Sequence, residues 1–213
     1  GTLAGKTHKD NGEAYVFRRD KGSHIIETDI GRIGVGICGD NQYYKVLRTM
    51  HENSVDIILM PHAWPVPFRS SGIVDKASMN QIHKRVRDVP KLYAESLGIP
   101  VVFVNQTGPM NKMPGILGKI MTPDTFYLPG NSVIIDSNGN VVDEIEENEG
   151  LITGTVKLDP NLKIWREPKR YGKNLFSGSF IARNIIIPLD ILAGKTSYAL
   201  NRRRRLKAKI DYA

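Results

Sequence analysis

The sequence predicts a mixed α/β layered fold rather than an all-parallel sheet. Short apolar runs typical of strands alternate with helical runs early in the chain and with turns later, which is the pattern of a layered domain. The 213 residues suit one domain or at most two small ones, and a chain of this length buries roughly 70% of its unfolded surface. The composition, with 40% hydrophobic and 24% charged residues, is that of an ordinary globular protein.

A hairpin and a strand–helix–strand unit open the predicted fold. Ser23 to Thr28 and Arg32 to Cys38 have the composition of two strands joined by a turn at Asp29–Gly31, and the second strand is apolar enough to be buried on both faces. Helix-forming residues from Gln42 to Asn53 carry apolar side chains at helical spacing, and the apolar run Val55 to Met60 forms the next strand.

One long helix and four further strands complete the prediction. The polar stretch from Lys76 to Leu97 predicts a helix that Gly98 caps, and Pro90 leaves open a break within it. The strands are predicted at Pro100–Val104, Asn131–Asp136, Val141–Ile145 and Leu151–Val156, with a turn at Ser137–Gly139.

Charge and cysteine content narrow the functional classes. Much of the net charge of +8 comes from six basic residues within the eight positions Arg202 to Lys209. Such a run could bind the phosphates of nucleic acid or anionic lipid, but terminal charge runs are typically solvated, and the sequence contains no RNA- or DNA-binding motif, so we expect neither partner.

A single cysteine excludes an internal disulfide framework. Without a signal-peptide pattern or a run of about 18 apolar residues, the sequence predicts a cytoplasmic protein.

The segment VGICGDNQYY contains the single cysteine, Cys38. A residue between a buried strand and a helix projects its side chain into the cleft at the carboxyl end of the strand, and the small Gly36 and Gly39 let a substrate approach. The following helix N-terminus would favour a thiolate, and the N–H of Gly39 could stabilise an oxyanion. The alternative is an inert thiol, which is the more frequent role of a lone cysteine in an apolar strand.

Five segments, taken in order, carry a resemblance to one family. They are Lys6–His8, Gly31–Asp40, Asp56–Pro61 with Ala63 and Trp64, Val101–Gly108, and Gly130–Ser132 with Ile134, Asp136 and Gly139. Up to about Pro168, the chain resembles the C-terminal part of a nitrilase-superfamily carbon–nitrogen hydrolase. The resemblance implies a four-layer α-β-β-α sandwich that is incomplete at its N-terminus. Residues 1–168 would form the partial hydrolase domain, and residues 169–213 an extension with a basic tail that contacts another subunit.

The same resemblance implies roles for individual residues. Family members use a Glu–Lys–Cys triad, so Cys38 corresponds to the nucleophile. Lys6 corresponds to the lysine that stabilises charge on the substrate, with Lys9 as the fallback. Glu13 falls where many family amidases carry a second glutamate that positions the substrate or the lysine; a surface carboxylate beside a turn is the alternative.

Three further residues border the implied substrate pocket. Gly39 stands where the family usually has a bulky aromatic residue, and this opens the pocket wall. His62 and Trp64 follow the predicted third strand and would line the cleft, although a loop packed on the core explains them equally well. The sequence has no metal-ligand spacing and no phosphate-binding glycine loop, so we expect no metal and no cofactor.

The reaction implied by the resemblance is hydrolysis of a non-peptide carbon–nitrogen bond through a thioester on Cys38. Asp40 after Gly39 favours a small-molecule amide or carbamoyl substrate over a nitrile. The catalytic glutamate of the family belongs to a segment that precedes the lysine and that this sequence lacks. We therefore expect a fragment, a second chain that supplies the segment, or an inactive homologue that serves as a binding or assembly subunit.

The apolar stretch from Phe180 to Leu192 predicts association. A single domain has little room to bury it, and family members commonly pair as dimers whose C-terminal segments reach a neighbour. We expect a homo-oligomer or a complex with an N-terminal complementing chain. The alternative is that the stretch folds back on its own sandwich.

Overall fold

Two β-sheets and four α-helices make up the part of the protein that the computed structural model describes, namely residues 8, 13–16, 23–70, 74–178 and 182–210. The larger sheet has the spatial order β1 (Ile25–Thr28), β2 (Gly31–Val35), β3 (Ile57–His62), β5 (Val101–Asn105), β8 (Ser132–Ile135) and β9 (Val141–Ile145). The smaller sheet has the order β4 (Val66–Pro67), β7 (Phe126–Pro129) and β6 (Thr107–Pro109). The α-helices are α1 (Tyr44–Glu52), α2 (Lys76–Leu97), α3 (Gly115–Ile120) and α4 (Ile187–Ile210). Shorter helical turns lie at Glu13–Tyr15, Cys38–Gln42, Pro160–Leu162 and Ala182–Ile186.

Three neighbouring strands of the larger sheet run parallel and bring their carboxyl ends to one edge. β2 pairs with β3, so that Val35 lies opposite Leu59, and β3 pairs with β5, so that His62 lies opposite Asn105. A 3-10 helix begins at Cys38, just beyond the end of β2. The ends of these three strands therefore share the edge where parallel sheets commonly form binding sites.

α1 and α2 cover one face of the larger sheet. Side chains of both helices are fully buried in one cluster with alternate residues of β3, β5 and β8; examples are Leu47, Val89, Tyr93, Ile58, Phe103 and Ile135. Residues that alternate with these, Leu59 and Val104, keep 36% and 53% of their surface exposed. The opposite face of the sheet thus presents apolar side chains to solvent in the part of the chain described.

Most predicted elements are confirmed, with shifted bounds. The hairpin forms as an antiparallel pair of β1 and β2, but β2 ends at Val35, because the chain turns into the 3-10 helix that contains Cys38. α2 continues through Pro90, whose buried side chain contributes to the core, so no break occurs. Gly98 caps α2 as expected, with a φ of 65° and its N–H donating to Ala94 O at 2.8 Å.

The predicted strand at Leu151–Val156 is wrong. This stretch has no regular secondary structure, and the side chain of Leu151 is 86% exposed. Its backbone is bound instead by a side chain, since Thr153 N donates to Asp143 Oδ2 at 2.8 Å. The N–H of Thr153 is therefore not available for a ladder bond to β9. The apolar composition of the stretch did not indicate this bond to a side chain.

The segment after β9 returns across the helical face and ties to the start of β3. Lys163 Nζ lies 2.6 Å from Asp56 Oδ1, and Ile164 N donates to Leu97 O at 3.0 Å. Burial raises the pKa of the Asp56 carboxyl, but hydrogen bonds and charge from Lys163 and Arg32 outweigh it, so the pKa lies below its ordinary value.

α4 packs on the 3-10 helix Glu13–Tyr15 and on α3. Gly194 permits this contact, because a Cβ there would lie 2.7 Å from Ala14 Cβ, and the buried Asp190 accepts from Ile116 N at 2.7 Å. Of the predicted apolar stretch, Phe180 lies outside the described residues, and Leu189 and Leu192 are more than half exposed. None of the described helices is both long enough and apolar enough to cross a membrane.

Replacement of Gly98 by alanine tests how the 160–164 segment docks on α2. The new Cβ would lie 2.0 Å from Leu162 O at a left-handed φ, so we expect a loss of about 2–5 kcal/mol in the free energy of unfolding. Gly172→Ala is the matched control, because Gly172 has a φ of 66° with nothing within 4 Å of an added Cβ. It should lose only about 1–2 kcal/mol in urea unfolding. Equal losses in the two variants would show that the Leu162 contact is unimportant.

Candidate active site

Cys38 occupies a strained turn at the end of β2. It is half-buried, begins the 3-10 helix Cys38–Gln42 and has a φ of 51°, in the left-handed region that residues other than glycine rarely adopt. The next three residues, Gly39, Asp40 and Asn41, are buried. Such a conformation costs of order 1–3 kcal/mol and persists only where neighbouring contacts hold it.

Asp40 provides one of these contacts. Its side chain is fully buried and its Oδ1 accepts from His8 N at 2.6 Å, with His8 Nδ1 at 3.0 Å. The His8 ring also stacks on Tyr43, with centroids 3.9 Å apart. These contacts fix the chain at His8 against the turn that carries Cys38. Lys6 and Lys9 flank His8 in the sequence but lie outside the described residues.

Asn41 provides the second contact and joins β2 to β3. Its Nδ2 donates to Gly36 O at 2.7 Å and lies 2.8 Å from His62 Nε2. A carbonyl oxygen only accepts, so the amide nitrogen must face Gly36, and His62 Nε2 must then act as the acceptor. This arrangement assigns the ring proton of neutral His62 to Nδ1.

His62 and Trp64 lie at the same edge and are buried, with 7% and 8% of their surfaces exposed. The His62 ring lies 4.6 Å from Phe103 and 5.7 Å from Trp64, measured between centroids. Trp64 N donates to Asn105 Oδ1 at 2.9 Å. The His62 ring thus contacts β5 at Phe103, the Trp64 side chain belongs to the core, and the backbone of Trp64 is bound at the end of β5. A role of the two side chains as pocket walls remains a prediction.

Glu13 lies with the C-terminal helix, whereas Tyr93 is buried where the charge of Asp40 acts on it. Glu13 is half-buried in the 3-10 helix that packs on α4, so the structure places it with the C-terminal helix. Tyr93 of α2 is fully buried, and burial together with the charge of Asp40 raises the pKa of its phenol well above the ordinary value.

Comparison with known proteins identifies the family. The sequence profile described as carbon-nitrogen hydrolase matches residues 3–160. The chain belongs to the carbon–nitrogen hydrolase family. The chain is 29% identical over 163 residues to a Schizosaccharomyces pombe protein named "Probable nitrilase", an alignment that covers 75% of this chain and 50% of that protein.

The fold is similar to that of a solved carbon–nitrogen hydrolase. A carbon–nitrogen hydrolase from Helicobacter pylori G27 superposes with a TM-score of 0.54 at 17% identity, covering 67% of this chain and 46% of that chain. An amidase of the nitrilase superfamily from Nesterenkonia has a TM-score of 0.43 at 16% identity, covering 63% of this chain and 41% of that one. The superposition on the Helicobacter pylori protein shows that the mixed α/β fold is that of a carbon–nitrogen hydrolase. This chain spans about half the length of the relatives it matches.

Sequence reasoning missed the polar network that supports Cys38. The pairs Asp40–His8 and Asn41–His62, and Asn105 with its bond to Trp64 N, were not anticipated as partners. One signal was available: Asp40, Asn41, His62 and Asn105 each stand at or just after the end of an apolar strand run. In a parallel sheet such positions meet at one edge, so their side chains are candidates for mutual contact.

Replacement of Gly36 by alanine tests whether the Asn41 contact holds the turn. A Cβ at Gly36 would lie 1.8 Å from Asn41 Oδ1, so we expect a loss of about 1–3 kcal/mol in the free energy of unfolding and altered reactivity of Cys38. Gly34→Ala is the control in the same strand, because its Cβ would meet side chains of Ile58, Met50 and Val55 at 3.4 Å. The control should lose less than about 1 kcal/mol by urea unfolding. An unchanged rate of Cys38 alkylation in Gly36→Ala would show that the Asn41 contact does not hold the turn that carries Cys38.

Proposed function

We propose that this chain carries the nucleophile of a thiol-dependent carbon–nitrogen hydrolase. The observation that carries the proposal is the left-handed conformation of Cys38 at the carboxyl end of β2, supported by the buried Asp40 and Asn41. Strained residues of this kind cluster at active sites, and a sharp strand-to-helix turn exposes a nucleophile to a cleft. Family membership agrees with this chemistry.

The proposed reaction has two steps. The Cys38 thiolate attacks the carbonyl carbon, the carbon–nitrogen bond breaks, and the amine leaves with a proton, which produces a thioester. Water then adds to the thioester carbonyl, the carbon–sulfur bond breaks, and the acid leaves as the thiol is restored. A small-molecule amide or carbamoyl amide is the favoured substrate, since Asp40 follows Gly39, and a nitrile is the second choice.

Other residues would support these steps. Lys6 and the N–H of Gly39 would stabilise negative charge on the substrate oxygen, and Glu13, His62 and Trp64 would border or position the substrate. The general base would be a glutamate from a segment outside this chain, supplied by a longer protein or a complementing chain. Association with such a segment, or with a second copy, would also cover the exposed Leu59 and Val104 on the open sheet face.

Alkylation of Cys38 tests the activated thiol without requiring turnover. The chain has a single cysteine, so intact mass after iodoacetamide treatment reports on Cys38 alone. At pH 6 we expect the folded chain to react about tenfold faster than the same chain unfolded in urea, because an activated site favours the thiolate. Cys38→Ser should take up no label and should abolish amide hydrolysis while keeping the fold. Slower labelling in the folded chain would contradict the proposal and favour an inactive homologue that serves as a binding or assembly subunit.

The two lysines beside His8 allow a matched comparison. With the complementing segment present, Lys6→Ala should lower kcat for amide hydrolysis by about a hundredfold, because a fixed charge on the developing oxyanion is lost. Lys9→Ala should have a mild effect, since Lys6 alone has the family's spacing to His8. The reverse ranking would transfer the role to Lys9.

A further inference from the structure

A cavity lies between the end of the 3-10 helix Cys38–Gln42 and the C-terminal helix. It has a volume of about 910 Å³, within the range of small-molecule sites. Gln42 and Tyr43 form one wall, and a turn at residues 171–174 forms the next. The remaining wall is formed by α4 and by the π-helical turn Ala182–Ile186 that precedes it. The cavity residues between positions 171 and 195 lie beyond residue 160, where the match to the family profile ends.

The charged side chains of this cavity all have the same sign. Lys173, Arg183 and Lys195 line it, and neither Asp nor Glu does so among the residues that the structure describes. Two carboxylates close in sequence to the residues of the cavity, Glu167 and Asp190, have other partners. Glu167 contacts Arg170 at 3.2 Å and Tyr44 at 3.1 Å, and Asp190 accepts from backbone N–H groups of α3. The cavity therefore concentrates positive charge.

Arg183 is part of a pair of guanidinium groups held on neighbouring carbonyl groups. Arg183 donates to Phe176 O, and Arg85 of α2 donates to Ser177 O. The two acceptors are carbonyl groups of consecutive residues, so the two guanidinium groups bind to neighbouring points of the chain. Burial lowers the pKa of both groups, and the charge of Arg183 lowers that of Arg85 further. An anion would relieve this repulsion.

The cavity also has an apolar surface, on the same helix that carries Lys195. Ile187, Pro188, Ile191 and Leu192 lie on one face of α4, as their spacing requires, while Asp190 and Gly194 face α3 and the 3-10 helix Glu13–Tyr15. Leu192 remains 61% exposed. The cavity thus combines cations that suit a charged head group with apolar side chains that suit an aliphatic chain.

We propose that this cavity binds a small amphipathic anion, with a carboxylate or phosphate group near Lys173, Arg183 and Lys195 and a short aliphatic chain against α4. The head group would neutralise cations that have no carboxylate partner among the described residues, and the chain would cover apolar side chains that solvent now contacts. This site is separate from the thiol chemistry proposed for Cys38 and does not depend on it.

Calorimetric titration of the 213-residue chain tests the proposal with four probes below their micelle concentrations. Octyl phosphate or octanoate should bind one to one, and the tighter of the two identifies the head group. Octanol and inorganic phosphate should each bind about tenfold more weakly or worse, because each lacks one half of the interaction. Equal binding of octanol, or no binding of either octyl anion, would overturn the proposal.

Two pairs of variants place the ligand in this cavity. The double variant Lys173→Gln and Lys195→Gln removes two exposed cations of the cavity and should weaken binding of the octyl anion by about tenfold. The control double variant Lys112→Gln and Lys119→Gln removes two exposed cations elsewhere and should change the affinity by no more than about twofold. Leu192→Glu should also weaken binding, because it adds a carboxylate to the apolar wall, while Leu200→Glu, on the same helix and more exposed, should not. Identical affinities for the cavity variants and their controls would show that the anion binds elsewhere.

Discussion

The Asn41 amide links the elements on which the candidate site depends. It donates to Gly36 O at the end of β2 and contacts His62 Nε2 at the end of β3, so one side chain joins two parallel strands beyond their last ladder hydrogen bonds. The contact exists because Gly36 has no Cβ; an added one would overlap Asn41 Oδ1. Asp40 and Asn41 are both buried inside the turn, and each is bound to a residue outside it. Contacts of this kind can hold a residue in a conformation such as the left-handed φ of Cys38.

The segment after β9 stabilises the same region from outside the sheet. Lys163 binds Asp56, Ile164 N and Arg166 N donate to carbonyl groups at the end of α2, and Leu175 N donates to Gln42 O. Tyr44 N in turn donates to Lys173 O, at the start of α1. The segment therefore provides hydrogen bonds to carbonyl groups at helix ends that have no partner within the helix. Its structure is determined by these contacts and by the bond from Thr153 N to Asp143, which the apolar composition around Leu151 did not indicate.

Local chemistry made much of the fold predictable from the sequence. The strands of the larger sheet have short apolar runs bounded by turns, and the α2 cap at Gly98 has the residue that its left-handed φ requires. Prediction failed where a distant partner decides the outcome. Pro90 stays within α2 because the helix packs on the core, and Thr153 bonds to Asp143 instead of a strand. In the site, the place of Cys38 followed from sequence pattern, but its φ and the partners of Asp40 and Asn41 depend on contacts with residues far along the chain. Lys6 was identified by resemblance alone, and its placement lies outside the described residues.

Tyr43 is the side chain that the turn at Cys38 and the cationic cavity have in common. Its ring stacks on His8, its backbone N–H donates to Asp40 O, and it lines the cavity together with Gln42. The 3-10 helix is only five residues long, so its first residue and its last lie on the two different sites. The lysines and the arginine of the cavity come from the turn at residues 171–174, from the π-helical turn and from α4, while the contacts that hold Cys38 come from His8, β2 and β3. Separate elements thus supply the cations of the cavity and the contacts that hold Cys38. Substitution of these residues can therefore distinguish a change in anion binding from a change in thiol reactivity.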